Sequence, residues 1–225
     1  EFIKEIYDTG VDVVILATNQ FVKQNDPSEN WKLQLSRILD QVEDIPLGTY
    51  ELPTPWHRLI TADEFSWMAQ TKRFVFHKDT SCNLDSINGK IEAAAGSGLK
   101  VFTAHTLTLL GALRFGANGY CGTGANFRPE LFSWLCENYM KMPAIAEQVQ
   151  RYLTEMEHKV DECENYPANA KAFMNLRKVK MNHICRCIRP EITSVHIEKL
   201  TSVLADSQKI YEMVTMSEKK HQSVV

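Results

Sequence analysis

The chain has 225 residues, 44% of them hydrophobic and 24% charged, with a formal net charge of −3. This is the profile of a folded, water-facing protein, and it leaves no electrostatic case for nucleic acid or an anionic membrane surface. No apolar run reaches the roughly 18 residues that a bilayer span needs.

In chain order, residues 2–7 read as the end of a helix, closed by Thr9-Gly10. Residues 11–17 form a continuous apolar strand. Ser28 is placed to cap a helix that carries Trp31, Leu35, Ile38, Leu39 and Val42 on one face. Residues 45–50 are the next strand. Thr61 opens a helix, with Glu64 three residues later as a capping box. A strand over 74–78 is followed by a helix over 84–95 that stops at Gly96-Ser97-Gly98, then a strand over 99–103. A helix over 106–115, ended by Gly116, leads to a last strand over 119–123, and Pro129 sits in the first turn of the helix after it. Beyond Met142 the strand signals stop, and helices are expected over 142–163, 167–180 and 194–216, separated by Asn165-Tyr166-Pro167 and Arg189-Pro190.

Apolar strands separated by helices imply an α/β fold with a parallel sheet, a pattern met by both doubly wound sheets and TIM barrels. The expected organisation is a β/α part over 1–140 and a helical C-terminal extension over 141–225 packed on it. The chain opens Glu1-Phe2-Ile3-Lys4 in mid-helix, which reads as a fragment of a longer protein.

The cysteines, Cys82, Cys121, Cys136, Cys163, Cys185 and Cys187, lack regularly spaced pairs. They read as free thiols in a reducing, cytoplasmic compartment. His183-Ile184-Cys185-Arg186-Cys187 lacks the two-residue spacer of a zinc knuckle and has no second pair, so no metal is expected. Gly96-Ser97-Gly98 follows a helix and reads as its C-terminal cap rather than a phosphate loop. Gly119-Tyr120-Cys121-Gly122-Thr123-Gly124 lacks dinucleotide spacing and reads as small residues at a barrel rim, where a ligand can approach the backbone.

One pair of residues carries chemistry. Lys78 ends one strand and Tyr50 ends the strand before it. An amine in an apolar mouth can lose its proton near neutral pH and attack a ketone. A phenol beside it can shuttle the protons that imine chemistry requires. Taken singly, each residue also reads as a solvent-facing lysine or a turn-anchoring tyrosine.

Gly10-Val11-Asp12, Ile45-Pro46, Tyr50-Glu51-Leu52-Pro53, Lys78-Asp79-Thr80-Ser81, Gly116-Ala117-Asn118-Gly119, Ala125-Asn126, Pro129, Tyr166-Pro167-Ala168 and Lys171-Ala172 occur in that order. The ordered set resembles the dihydrodipicolinate synthase and N-acetylneuraminate lyase family of class I pyruvate-type aldolases, and spans nearly the whole chain. The resemblance implies a TIM (β/α)8 barrel, here with strands four to eight and without about the first 80 residues. It implies that Lys78 forms a Schiff base with pyruvate or another 2-oxo acid and that Tyr50 relays protons. Cys121 and Gly122 would line the bound acid through backbone. Thr80 and His105, at the rim, are further substrate-binding candidates. It implies carbon–carbon cleavage or condensation with an aldehyde partner, no metal or organic cofactor, and a homo-oligomer, dimer or tetramer, at full length.

Departures from the family's pattern bear on selectivity. The family's second tyrosine falls near Asn19-Gln20-Phe21, and Phe21 has no hydroxyl. Synthase members carry an arginine where Pro55 stands, to bind the second substrate's carboxylate, so a true dihydrodipicolinate synthase is not expected. His57, Arg58 and His105 are the nearest polar replacements. Two other readings stand beside the aldolase: a non-catalytic or regulatory descendant that binds a 2-oxo acid or only assembles, and an unrelated phosphate-binding β/α enzyme. The second of these would need a glycine-rich grip, which Ala104-His105-Thr106 does not supply.

Overall fold

The computed structural model describes residues 1–42, 44–161, 165–186 and 191–222. They form two compact units, Glu1–Gly122 and Thr123–Val225.

The first unit is a five-stranded, all-parallel sheet in the order β1-β2-β3-β4-β5. The strands are β1 (Val14–Ala17), β2 (Leu47–Tyr50), β3 (Phe74–Asp79), β4 (Lys100–Thr103) and β5 (Gly119–Tyr120). The helices between and before them are α1 (Phe2–Tyr7), α2 (Ser28–Val42), α3 (Ala62–Thr71), α4 (Leu84–Ala93) and α5 (Leu109–Phe115). Each strand pairs with the next in sequence, so the order never reverses. A doubly wound sheet requires a reversal, and a singly wound β/α barrel does not. The sheet is open, with β1 and β5 as edges.

Burial is one-sided. Val14, Leu16, Leu47 and Val101 point to the face covered by Trp31, Leu35, Phe65 and Met68 of α2 and α3. On the opposite face Ile15 is 43% exposed, and Phe76 stacks on Phe102 with centroids 4.9 Å apart. Several boundaries differ from the sequence reading. Residues 11–13 lie outside the sheet, because pairing on β1 begins at Val14↔Leu47. Ser28 does begin α2, but its hydroxyl donates to Glu64 Oε1 at 2.6 Å. Thr61 and Glu64 form the expected capping box, and Gly116, with φ of 107°, ends α5.

The second unit holds α6 (Pro129–Asn138), α7 (Pro143–Asp161), α8 (Ala168–Leu176) and α9 (Ser194–Gln222). Leu131, Leu135, Val149, Leu153, Phe173, Leu200 and Val203 are buried in it. Helix α6 therefore falls with this unit rather than with the sheet. Helix α7 is described over Pro143–Asp161, and α9 runs past the expected stop at residue 216. Cys163, Cys187 and Arg189-Pro190 lie outside the described residues. Cys82, Cys121, Cys136 and Cys185 are free thiols. Among the described residues no helix is long and apolar enough to cross a membrane.

Candidate active site

The site begins with a slip in strand register. Leu47 pairs with Phe74, but Gly48 pairs with Phe76, so β3 has one extra residue at Val75. Side chains alternate faces along a strand, so a one-residue shift reverses every position after it. Without it Tyr50 would face His77. With it Thr49 faces His77 and Tyr50 faces Lys78. Lys78 and Tyr50 thus share the face away from the helices, and the Lys78 Nζ lies over the Tyr50 ring, 4.1 Å from its centroid. Both side chains are half-buried.

The reverse face carries a cluster of buried polar groups. Thr49, Glu51, His77 and Asp79 are fully buried, and Lys90 of α4 is 1% exposed. Lys90 Nζ donates to Glu51 Oε1 at 2.6 Å and also to Asp79 Oδ2. Thr49 Oγ1 and His77 Nδ1 are hydrogen-bonded at 2.8 Å, and Phe65 packs edge-on against the imidazole. His77 Nε2 stands 3.6 Å from Glu51 Oε1, beyond hydrogen-bonding distance. Glu51 also accepts the backbone amides of Ile60 at 2.7 Å and Thr80 at 2.8 Å. Burial by itself would raise this carboxyl. His77, the Lys90 ammonium and the Ile60 amide outweigh it and bring the pKa down to about 2. Glu51, His77 and Asp79 are close enough together to share a cation. Lys90 already places an ammonium on both carboxylates, so the positive charge a metal would bring is supplied by the chain.

The loop after β2 is anchored from beneath. The buried Asn19 Nδ2 lies 2.7–2.9 Å from the carbonyls of Leu52, Thr54 and Trp56. Phe21 packs against the apolar core. Arg58 pairs with Glu64 at 2.6 Å and lies over the Trp31 ring at 4.7 Å. Both contacts tie its guanidinium to the fold. His57 is exposed, and its Nε2 meets Thr80 Oγ1 at 2.7 Å. Thr80 spends its one hydroxyl proton on the Glu51 carbonyl at 2.6 Å, so His57 Nε2 must be the donor to it.

The remaining sequence candidates sit at the ends of β4 and β5. His105 Nδ1 is 3.1 Å from Thr108 Oγ1, and burial lowers its pKa against the opposing charge of Asp79. Cys121 donates its amide to the Thr103 carbonyl at 2.8 Å. At Gly122 a side chain would meet the Ala104 carbonyl and the Tyr120 hydroxyl, each at 2.3 Å. There is no room for a side chain at this position. Gly122→Ala is accordingly expected to destabilise the protein by about 1–3 kcal/mol, the usual effect of overpacking. Unchanged thermal unfolding would show that the strand end yields freely.

The sequence reading missed Lys90, Glu51, Asp79, His77 and Asn19. A signal was present: polar side chains recur at alternate positions 49 and 51 and again at 77 and 79, at the ends of strands whose earlier residues are apolar. Lys90 lies three residues after the buried Ile87, on the apolar side of its helix.

These features define a β/α protein with a lysine and a tyrosine side by side at the C-terminal ends of adjacent parallel strands. The dihydrodipicolinate synthetase family model matches residues 2–208, and the chain belongs to that family. Among solved structures, the 4-hydroxy-tetrahydrodipicolinate synthase of Methylacidiphilum fumariolicum SolV is similar at 21% identity, over 95% of this chain and 70% of that one, with a TM-score of 0.78. The dihydrodipicolinate synthase of Thermotoga maritima matches at 20% identity, over 92% and 70%, with a TM-score of 0.77. The chloride-inhibited dihydrodipicolinate synthase of Acinetobacter baumannii, complexed with pyruvate, matches at 22% identity, over 92% and 69%, with a TM-score of 0.76. These likenesses show the fold. No curated protein matches the chain in sequence.

Proposed function

We propose that this chain carries the Schiff-base centre of a class I aldolase or lyase acting on pyruvate or a related 2-oxo acid, with the five strands as an arc of a β/α barrel. The observation that supports it most is the Lys78 amine over the Tyr50 ring. In this reading the neutral Nζ adds to the C2 carbonyl carbon, forming a C–N bond as the carbonyl electrons move to oxygen. Loss of water leaves the iminium, whose nitrogen withdraws electrons from C3. A C3 proton, or a C3–C4 bond, is then released to give the enamine. In the synthetic direction the enamine carbon adds to an aldehyde, and water returns to free the lysine. Tyr50 carries protons to and from the oxygen. The chemistry requires no metal or organic cofactor.

The test is covalent capture. Borohydride added with pyruvate to the protein that carries this chain is expected to leave a reduced adduct on Lys78, located by peptide mass spectrometry. An adduct on another lysine, or none with any 2-oxo acid, overturns the reading. It would leave the non-catalytic alternative, which the internal commitment of the Thr80 hydroxyl favours.

Selectivity follows from Pro55 and Arg58. An arginine fork binds a carboxylate bidentately, and its loss from a desolvated pair costs about 2–5 kcal/mol. Proline has no donor, and Arg58 is held by Glu64. Aspartate semialdehyde is therefore expected to be a poor partner, and a hydroxylated or otherwise neutral aldehyde a better one. Steady-state assays of both classes check this. Turnover of aspartate semialdehyde with kcat/KM of about 10⁴ M⁻¹s⁻¹ or more, the ordinary enzymatic range, would refute it.

A further inference from the structure

We propose that Lys90 is a positioning residue: from helix α4 it clamps the ends of β2 and β3 together from behind, and so holds the Lys78 amine on the Tyr50 ring. The inference deepens the Schiff-base reading and rests on it. Among the described residues no hydrogen bond or ion pair holds the Lys78 amine, so its place over the Tyr50 ring depends on how closely the two strand ends stand together. Those backbones are tied at their ends by charge. Glu51 directly follows Tyr50, and Asp79 directly follows Lys78. Both carboxylates are fully buried on one face, and both accept from the same ammonium.

Two buried carboxylates on adjacent strands repel, and repulsion in a dry site is strong. Unpaired, they would splay the strand ends that present Tyr50 and Lys78. The Lys90 ammonium turns the repulsion into a bridge. The same carboxylates then organise the loops beyond. Glu51 holds the amides of Ile60 and Thr80, and Asp79 Oδ1 holds the amide and hydroxyl of Ser81 at 3.0 and 2.9 Å. A lysine gives up more rotamer freedom and more hydration on burial than a leucine in the same place. Packing alone does not account for an ammonium at the centre of this face.

The experiment compares Lys90→Met, the charge-balanced pair Lys90→Met/Glu51→Gln, and Lys90→Arg in the protein that carries this chain. Rates of imine formation with pyruvate are read by borohydride quench, alongside thermal unfolding. Lys90→Met is expected to slow imine formation at saturating pyruvate by about 10–100-fold, the effect of misplacing a reacting group by about an ångström, with little change in the half-saturating concentration. The double variant relieves the repulsion without restoring the bridge. It is expected to regain thermal stability but not rate, while Lys90→Arg regains rate. Rate recovering in step with stability in the double variant, or a wild-type rate in folded Lys90→Met, overturns the clamp. If the unsubstituted protein traps no 2-oxo acid, the functional reading fails by itself. The clamp is then read from acylation of Lys78 by a general amine reagent: faster labelling in the double variant than in wild type supports it, and equal rates overturn it.

Discussion

Lys78→Ala is expected to leave no turnover of a 2-oxo acid above background, and Tyr50→Phe to lower kcat by about 10²–10⁴, the usual worth of a positioned acid–base group. The two losses differ in kind. Without Lys78 there is no nitrogen to form the imine, so no iminium withdraws electrons from C3 and the covalent route closes altogether. Without the Tyr50 hydroxyl the imine can still form, with protons carried by water, so adduct on Lys78 should persist at a reduced rate. The aromatic ring under the amine remains in Tyr50→Phe, and with it most of the contact that places Nζ 4.1 Å from the ring centroid. Borohydride trapping and single-turnover kinetics on the same samples separate the two. An adduct in Lys78→Ala, or equal kinetics for Tyr50→Phe and the wild type, would remove the assigned roles.

The second large effect is on stability and its pH dependence. Lys90→Met is expected to cost about 3–5 kcal/mol at neutral pH, the effect of breaking a buried ion pair by removing one partner. Urea unfolding measures it. The sign with pH follows from Glu51, whose carboxyl is held at about 2, below its ordinary 4.5. A carboxyl held low in the folded state adds stability that is fully present above its ordinary value and is lost as pH falls through the folded value. The unsubstituted protein should therefore lose stability as pH drops from about 4.5 toward about 2. Glu64 acts in the same direction: burial opposes its ionisation, and Arg58, Ser28 and the Thr61 amide overcome it. In Lys90→Met the carboxylates face each other unpaired, and protonation relieves them. The variant's deficit should thus be largest at neutral pH, shrink already as pH falls toward about 4.5, where its unpaired carboxyls take up protons, and shrink further below that as the wild type loses the Glu51 contribution. A deficit independent of pH would mean that Lys90 acts through packing alone.

The juxtaposition of Lys78 and Tyr50 was legible because both stand at strand ends in an ordered set of short motifs. Lys78 and Tyr50 close apolar runs 28 positions apart, and neighbouring parallel strands bring such ends together. Thr80 and Gly122 stand in the motifs as substrate-lining candidates; in the structure the Thr80 hydroxyl donates to the Glu51 carbonyl, and Gly122 has no room for a side chain. Arg58, one of three polar candidates near Pro55 with His57 and His105, is held by Glu64 and Trp31.

From the sequence by itself came the parallel β/α class, the helix caps at Thr61 and Gly116, and the lysine–tyrosine pair, all of which rest on periodicity and local order. Only the tertiary structure decided which face those two residues take. The slip at Val75 depends on how β3 settles against β2, and no spacing within either strand encodes it. The Lys90 bridge is likewise tertiary. A lysine inside a helix ordinarily reads as a solvated side chain, and its partners here lie 39 and 11 residues away on two different strands. Their meeting depends on how α4 lies across the sheet, a matter of long-range packing rather than of neighbouring residues.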